Sequence, residues 1–218
     1  MGSILAERFR ILEQIGTGAS STVYRALDES TRVEVALKVY AASYKGEGNE
    51  ERIRREVALS WKLNHTNLVR VFDWGEARGT FWLAMELCRE GTLKSRLKRG
   101  EGLPWKEACL YASQILSGLS AVHSLEAVHR DVKPDNCFFT EDGTLKLGDF
   151  GLVKAGYLES LTETGVSLGT PMYMAPEAIE DKDPGPRADL YSLGVTLFEM
   201  LTGNAPFEAT SALAVATK

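Results

Sequence analysis

Between Val128 and Asn136 the chain reads Val-His-Arg-Asp-Val-Lys-Pro-Asp-Asn, which is five ionisable side chains and an amide within nine residues. Ordinary loops do not gather His129, Arg130, Asp131 and Lys133 around a proline in this way. Thirteen residues after Asn136 comes Asp149-Phe150-Gly151, directly behind a strand-like segment. An Asn136 amide oxygen and an Asp149 carboxylate arriving from two adjacent loops are hard oxygen donors. Such donors suit Mg²⁺, which takes few protein ligands and completes its shell with substrate phosphates. Asp131 is then left to handle a substrate hydroxyl.

Two upstream features carry weaker signals when taken singly. Gly16-Thr17-Gly18-Ala19-Ser20-Ser21-Thr22-Val23 lies between two strand-like runs. Glycines at that spacing let a backbone bend over a ligand and present N–H groups to phosphate oxygens. A plain glycine-rich hairpin turn explains the segment at least as well. A strand follows rather than a helix, and no Gly-Lys-Ser/Thr is present, so neither the dinucleotide fingerprint nor the P-loop applies. Lys38 ends Val35-Ala36-Leu37-Lys38, in a strand of mostly apolar residues. Buried there, it needs an anion. Glu56, on a helix whose apolar face must pack against the sheet, can supply one. An exposed edge-strand lysine and a solvated glutamate is the other reading.

The elements that must position these residues follow from periodicity. Phe9–Ile15, Val23–Leu27 and Val33–Val39 are apolar, β-branched or alternating, and read as strands. Tyr44–Asn49 is polar and glycine-containing, hence a loop. From Glu50 the apolar residues Ile53, Val57, Trp61 and Leu63 recur at helical steps. Two more strands are expected around Leu68–Trp74 and Phe81–Leu87, then a linker at Cys88–Gly91. Beyond it Leu93–Lys98 predicts a short helix. Pro104 opens a longer one, with Ala108, Ala112, Ile115, Leu119 and Val122 as its apolar stripe. Cys137–Thr140 and Thr144–Leu147 predict a hairpin, and Ala188–Leu201 is apolar almost all round, as in a helix buried on every side. The expected plan is α+β: a small β-rich lobe with one helix, residues 1–87, and a larger helical lobe, residues 88–218. Clefts between facing domains are the usual place for small-molecule sites.

Composition narrows the function classes. The 218 residues hold 25 Lys+Arg against 30 Asp+Glu, a net charge of −5, with 44% apolar and 25% charged residues. That is an ordinary globular composition, without the basic excess of a general nucleic-acid binder. There is no signal-peptide pattern at the N-terminus and no apolar run of membrane-spanning length. Cys88, Cys109 and Cys137 are odd in number and in no CxxC spacing, which predicts buried, reduced thiols in a cytoplasmic protein.

Taken together and in order, these segments resemble a eukaryotic-type serine/threonine protein kinase catalytic domain of bacterial character. The glycine-rich loop, Val-Ala-Leu-Lys, the helix Glu, His-Arg-Asp-x-x-x-x-Asn, Asp-Phe-Gly and Ala175-Pro176-Glu177 all occur in the family's sequence. The resemblance implies a bilobal protein-kinase-like fold and ATP-dependent phosphoryl transfer with Mg²⁺. It implies that Gly16 and Gly18 cover the ATP phosphates and that Val23 and Ala36 close on the adenine. Glu86 and Cys88 would belong to the adenine-contacting hinge behind Met85. Lys38 would hold the α/β-phosphates with Glu56 as its partner. Asn136 and Asp149 would bind metal, Asp131 would take the hydroxyl proton, and Lys133 would sit near the γ-phosphate. Lys133 and Gly169-Thr170-Pro171 resemble the branch that phosphorylates serine and threonine in proteins.

Arg130 before Asp131 is the family's usual sign of control by activation-loop phosphorylation, here on Thr162, Thr164 or Ser167. Departures from the pattern are Ser21 in place of the third loop glycine and Ser60 in place of a large apolar residue of the regulatory spine. The family also continues with helices beyond residue 218. The expectation is therefore a helical lobe without its last helices, either a fragment or a short variant completed by another chain or by a second copy. A nucleotide-binding, pseudokinase-like scaffold with little turnover is the alternative function.

Overall fold

The structure is a computed structural model, and it describes residues 3–18, 21–40, 57, 61–149, 171–180 and 184–207. Backbone proximity divides the chain into two compact units: residues 1–64 with 69–88, and residues 65–68 with 89–218.

The first unit is an antiparallel sheet of six strands: β1 (Ile4–Leu5), β2 (Phe9–Thr17), β3 (Ser21–Asp28), β4 (Val33–Tyr40), β5 (Val71–Ala77) and β6 (Thr80–Met85). They lie in the order β1-β2-β3-β4-β6-β5. Strand periodicity gives the sheet two distinct faces. One buries Phe9, Ala26, Val35, Leu37, Trp82 and Ala84 as a continuous core. Phe9 meets the Trp82 ring edge-on at 4.8 Å. Gly75 lies opposite Trp82, and a Cβ there would fall 2.6 Å from the indole, so only glycine fits. The other face carries Tyr40 and Phe81, and Val57 packs among them. Val57 is helical, in keeping with the expected helix, but Glu56 and most of that segment lie outside the described residues. Arg8 closes the sheet's edge, with Nε and Nη2 donating to Asp28 at 2.9 and 2.7 Å and Nη1 donating to Asp73.

The second unit contains α1 (Leu93–Arg96), α2 (Trp105–His123), the hairpin β7 (Cys137–Phe139) and β8 (Leu145–Leu147), α3 (Pro176–Glu180) and α4 (Pro186–Thr202). The stripe expected on α2 is its buried face: Ala108, Ala112, Ile115, Leu119 and Val122 are all in the core. Gly118 on the same helix lets the 65–68 segment approach. A Cβ there would lie 2.8 Å from the Asn67 carbonyl oxygen.

Several expectations need correction. Leu68 is not in a strand with Trp74; β5 begins at Val71, and Leu68 instead forms a parallel bridge with Leu147. The helix from Leu93 stops at Arg96, because Lys98 turns back to pair with Glu101. Pro104 is the cap of α2, not its first helical residue; its extended ψ of 132° cannot continue a helix. Cys109 is exposed on α2, whereas Cys137 is buried and Cys88 half-buried. The α4 helix, apolar almost all round by sequence, has one exposed flank. Leu190, Phe198 and Leu201 are exposed along it, while polar Asp189, Ser192, Thr196 and Glu199 are buried.

Candidate active site

In the first unit the sheet register brings several expected residues to one face. Gly16 pairs with Val23, Val23 with Lys38, and Lys38 with Leu83, which makes a row across β2, β3, β4 and β6. Directly paired residues point the same way, and Ala36 shares that face with Lys38 by the two-residue strand period. Lys38 is therefore no edge-strand lysine: its strand is paired on both sides. Its Nζ lies 5.7 Å from the Tyr40 ring centroid. At the glycine turn the Gly18 N–H donates to the Ser21 carbonyl at 2.8 Å, which closes the bend. Behind β6, Glu86 is fixed twice by Arg70: its N–H reaches the Arg70 carbonyl at 2.8 Å, and its carboxylate accepts the Arg70 N–H at 3.2 Å. Cys88 follows, half-buried, at the end of the unit.

In the second unit the charged nine-residue stretch is a tightly bonded loop. Asp131 Oδ2 accepts from Lys133 Nζ at 3.1 Å and from Asn136 Nδ2 at 2.8 Å. Asn136 Nδ2 also donates to the Asp131 carbonyl at 2.8 Å. With its NH₂ so engaged, the amide orientation is set by the network, and Oδ1 is its acceptor. Asn136 is buried in the 3₁₀ turn Pro134–Asn136. The Asn136 carbonyl in turn accepts the Gly148 N–H at 2.9 Å, so the residue before Asp149 is tied to the turn that holds Asn136. Asn136 and Asp149 thus lie on two loops joined by one backbone hydrogen bond.

Two side chains in this loop system sit where only glycine is comfortable. Arg130 has φ 66° and Asp149 has φ 55°. Each such residue costs on the order of 1–3 kcal/mol and persists where surrounding bonds over-determine it, typically at functional sites. For Arg130 the holding bond is its N–H to Asp189 Oδ1 at 2.8 Å. Asp189 Oδ2 accepts the His129 N–H and the His123 ring, both at 2.8 Å. His129 is fully buried, and burial lowers its pKa and keeps the ring neutral. Its Nδ1 accepts the Asp131 N–H at 3.3 Å. Cys137 stays a thiol because burial pushes its pKa up, and it bonds the Lys133 carbonyl.

Asp189 was not among the residues singled out from the sequence. The signal was there: one carboxylate in the first turn of a segment otherwise read as apolar. A second overlooked group is Glu199, buried on the same helix and bonded to Lys94 and Tyr173. Glu56, Phe150 and the candidate phosphorylation sites between residues 151 and 170 lie outside the described residues.

A family model described as protein kinase domain matches residues 9–217. The chain belongs to the protein kinase domain family. Its α+β fold, with a curled antiparallel sheet and a helical portion, is the one that membership requires. Kinase-domain relatives resemble it along nearly its whole length. It is 42% identical over 215 residues to serine/threonine-protein kinase PknL of Mycobacterium bovis, covering 98% of this chain and 54% of the relative. With serine/threonine-protein kinase PrkC of Bacillus subtilis it shares 36% identity over 220 residues, covering 100% of this chain and 34% of the relative. The kinase domain here thus spans about half or less of the length of these relatives. Among the described residues, no helix is long and apolar enough to cross a membrane.

Proposed function

We propose that this chain is a catalytic domain that transfers the γ-phosphoryl group of ATP to serine or threonine hydroxyls of cytoplasmic proteins. The observation that carries the reading is the Asp131–Lys133–Asn136 network, tied through the Gly148 N–H to Asp149. Phosphoryl transfer asks little covalent chemistry of a protein. Alignment of the acceptor and cancellation of charge supply most of the rate.

Asp131 has the part of the base. Held by Lys133 and Asn136, its carboxylate is aimed before substrate arrives, and it receives the proton as the acceptor oxygen attacks the γ-phosphorus, the bond from that phosphorus to the β-phosphate oxygen breaks and ADP leaves. Lys133 balances charge at that phosphate. Gly16 and Gly18 cover the phosphates with backbone N–H groups, while Val23 and Ala36 pack on the adenine beside Glu86 and Cys88 of the hinge. Lys38 holds the α/β-phosphates, with Glu56 as the partner that orients it. The donor set also fits Mg²⁺, since the Asn136 Oδ1 and the Asp149 carboxylate are hard oxygens on two loops joined by one backbone hydrogen bond. Those two residues would hold the metal, which when bound neutralises phosphate charge. Arg130 would pair with a phosphate on the activation segment and bring the loop under regulatory control.

The test is transfer of label from γ-labelled ATP to generic protein substrates, followed by phosphoamino-acid analysis. Phosphoserine or phosphothreonine from the native chain, and almost none from Asp149→Ala, supports the reading. Equal label in both would remove it in favour of the scaffold alternative. Sedimentation of the same sample would show whether a second copy of the chain accompanies activity.

A further inference from the structure

The hairpin β7–β8 carries the two candidate metal ligands at its ends: Asn136 comes directly before Cys137, and Gly148 alone separates Leu147 from Asp149. In an antiparallel pair alternate residues turn their backbone groups away from the partner strand. On β8 those residues are Leu145 and Leu147. The Leu145 N–H donates to Gln114 Oε1 of α2 at 2.7 Å. The Leu145 carbonyl accepts from Asn67 Nδ2 at 2.9 Å, and the Leu147 N–H donates to the Asn67 carbonyl at 2.9 Å. One residue thus grips the outer edge of β8 at two points, once by side chain and once by backbone.

Asn67 is itself held. It is buried, its N–H donates to His65 Nδ1 at 3.1 Å, and the Leu68 N–H donates to the His65 carbonyl at 3.1 Å. His65 Nε2 lies 3.4 Å from Ser117 Oγ on α2, and Gly118 beside it leaves room for the Asn67 carbonyl. The grip on β8 is therefore fixed to the long helix. Downstream of it Asp149 has φ 55°, a conformation that persists where neighbouring bonds over-determine it. The two residues before it supply such bonds to two different anchors: the Leu147 N–H to Asn67, and the Gly148 N–H to the Asn136 carbonyl.

We infer that Asn67 is a positioning residue for the metal pair: by clamping Leu145 and Leu147 it sets where Asp149 stands relative to Asn136. It acts through β8 and the Leu147–Gly148 backbone. The inference rests on the kinase reading above and adds to it a residue outside the charged loop.

The test uses the full chain with Mn²⁺ as the probe of the metal pair. Three quantities are read: Mn²⁺ binding in the presence of ATP by electron paramagnetic resonance, ATP binding without a divalent cation by calorimetry, and amide exchange at Gly148 by NMR. Groups that orient metal ligands are worth about 10–100-fold in affinity, so Asn67→Ala should weaken Mn²⁺ binding about tenfold or more. Gly148 exchange should speed up with it, while ATP binding without metal stays at the native value. Gly118→Ala leaves Asn67 in place but puts a Cβ 2.8 Å from its carbonyl oxygen, and it should shift Mn²⁺ binding and Gly148 exchange in the same direction. That second variant carries the test if Asn67→Ala fails to fold. A lower thermal midpoint with native Mn²⁺ affinity in the folded protein would make Asn67 a structural residue only and overturn the inference. A native chain that binds no Mn²⁺ with ATP would overturn the kinase reading. A native chain that binds it, matched by both variants, would overturn the role of Asn67 alone.

Discussion

The carboxylate of Asp189 holds the backbone N–H of Arg130 at 2.8 Å, across 59 residues of sequence, and Arg130 is one of the few side chains with φ in the left-handed region. The α4 helix thereby fixes the conformation of the residue next to Asp131. Replacing Asp189 with alanine leaves the N–H groups of His129 and Arg130 without their acceptor. At about 1–3 kcal/mol for each buried donor, the loss should be roughly 2–6 kcal/mol. Urea unfolding checks the stability. Turnover should fall as well, with Asp189→Asn intermediate in both measures because it keeps one acceptor oxygen.

Lys38 stands in a fully paired strand and shares its face with Val23 and Ala36. Lys38→Met keeps the stem and the strand but removes the charge. Phosphoryl transfer should drop below detection while the circular dichroism spectrum and thermal midpoint stay near those of the native chain. Full activity in that variant would contradict its phosphate-holding role.

The Arg8–Asp28 pair makes the first unit sensitive to acid. The Arg8 guanidinium, with help from Ser30, holds the Asp28 carboxyl well below the usual carboxylate range. A depressed folded-state pKa gives stability that is complete above the unfolded value of about 3.9 and is lost as pH falls below it. Stability measured by urea should therefore decline from about pH 4 downward. Asp28→Asn should start less stable at pH 7 and show a flatter acid limb, and an unchanged limb would remove the pair as its cause.

Gly118 is where α2 and the 65–68 segment come closest. Its Cβ would meet the Asn67 carbonyl oxygen at 2.8 Å and a Leu68 methyl at 3.0 Å. Alanine favours helix by about 1 kcal/mol, yet here the clash should win. Gly118→Ala should destabilise by about 1–3 kcal/mol in chemical denaturation, as overpacking does. A stabilised variant would mean that the backbones can separate without cost.

Much of this was legible in the sequence because the physics is local. Strand alternation placed β2, β3 and β4, and the three- and four-residue spacing of Ala108, Ala112, Ile115, Leu119 and Val122 gave the buried face of α2. The density of charge around Pro134 marked out the loop in which Asp131, Lys133 and Asn136 bond to one another. Long-range pairing was not legible. Leu68 looks like strand by composition, and only its bridge to Leu147 takes it elsewhere. Cys109 looks buried by residue type, but the helical period turns it to solvent. Asp189 and Glu199 gain their meaning from partners 59 and 105 residues away, which no local pattern encodes.

In the proposed reaction Asp131 serves the chemical step and not nucleotide binding. The direct measurement compares Asp131→Ala with the native chain in two assays, turnover on a protein acceptor and equilibrium binding of ATP with Mg²⁺. Turnover should fall by a factor on the order of 10² or more, with ATP affinity little changed. Native-like turnover in Asp131→Ala would contradict it.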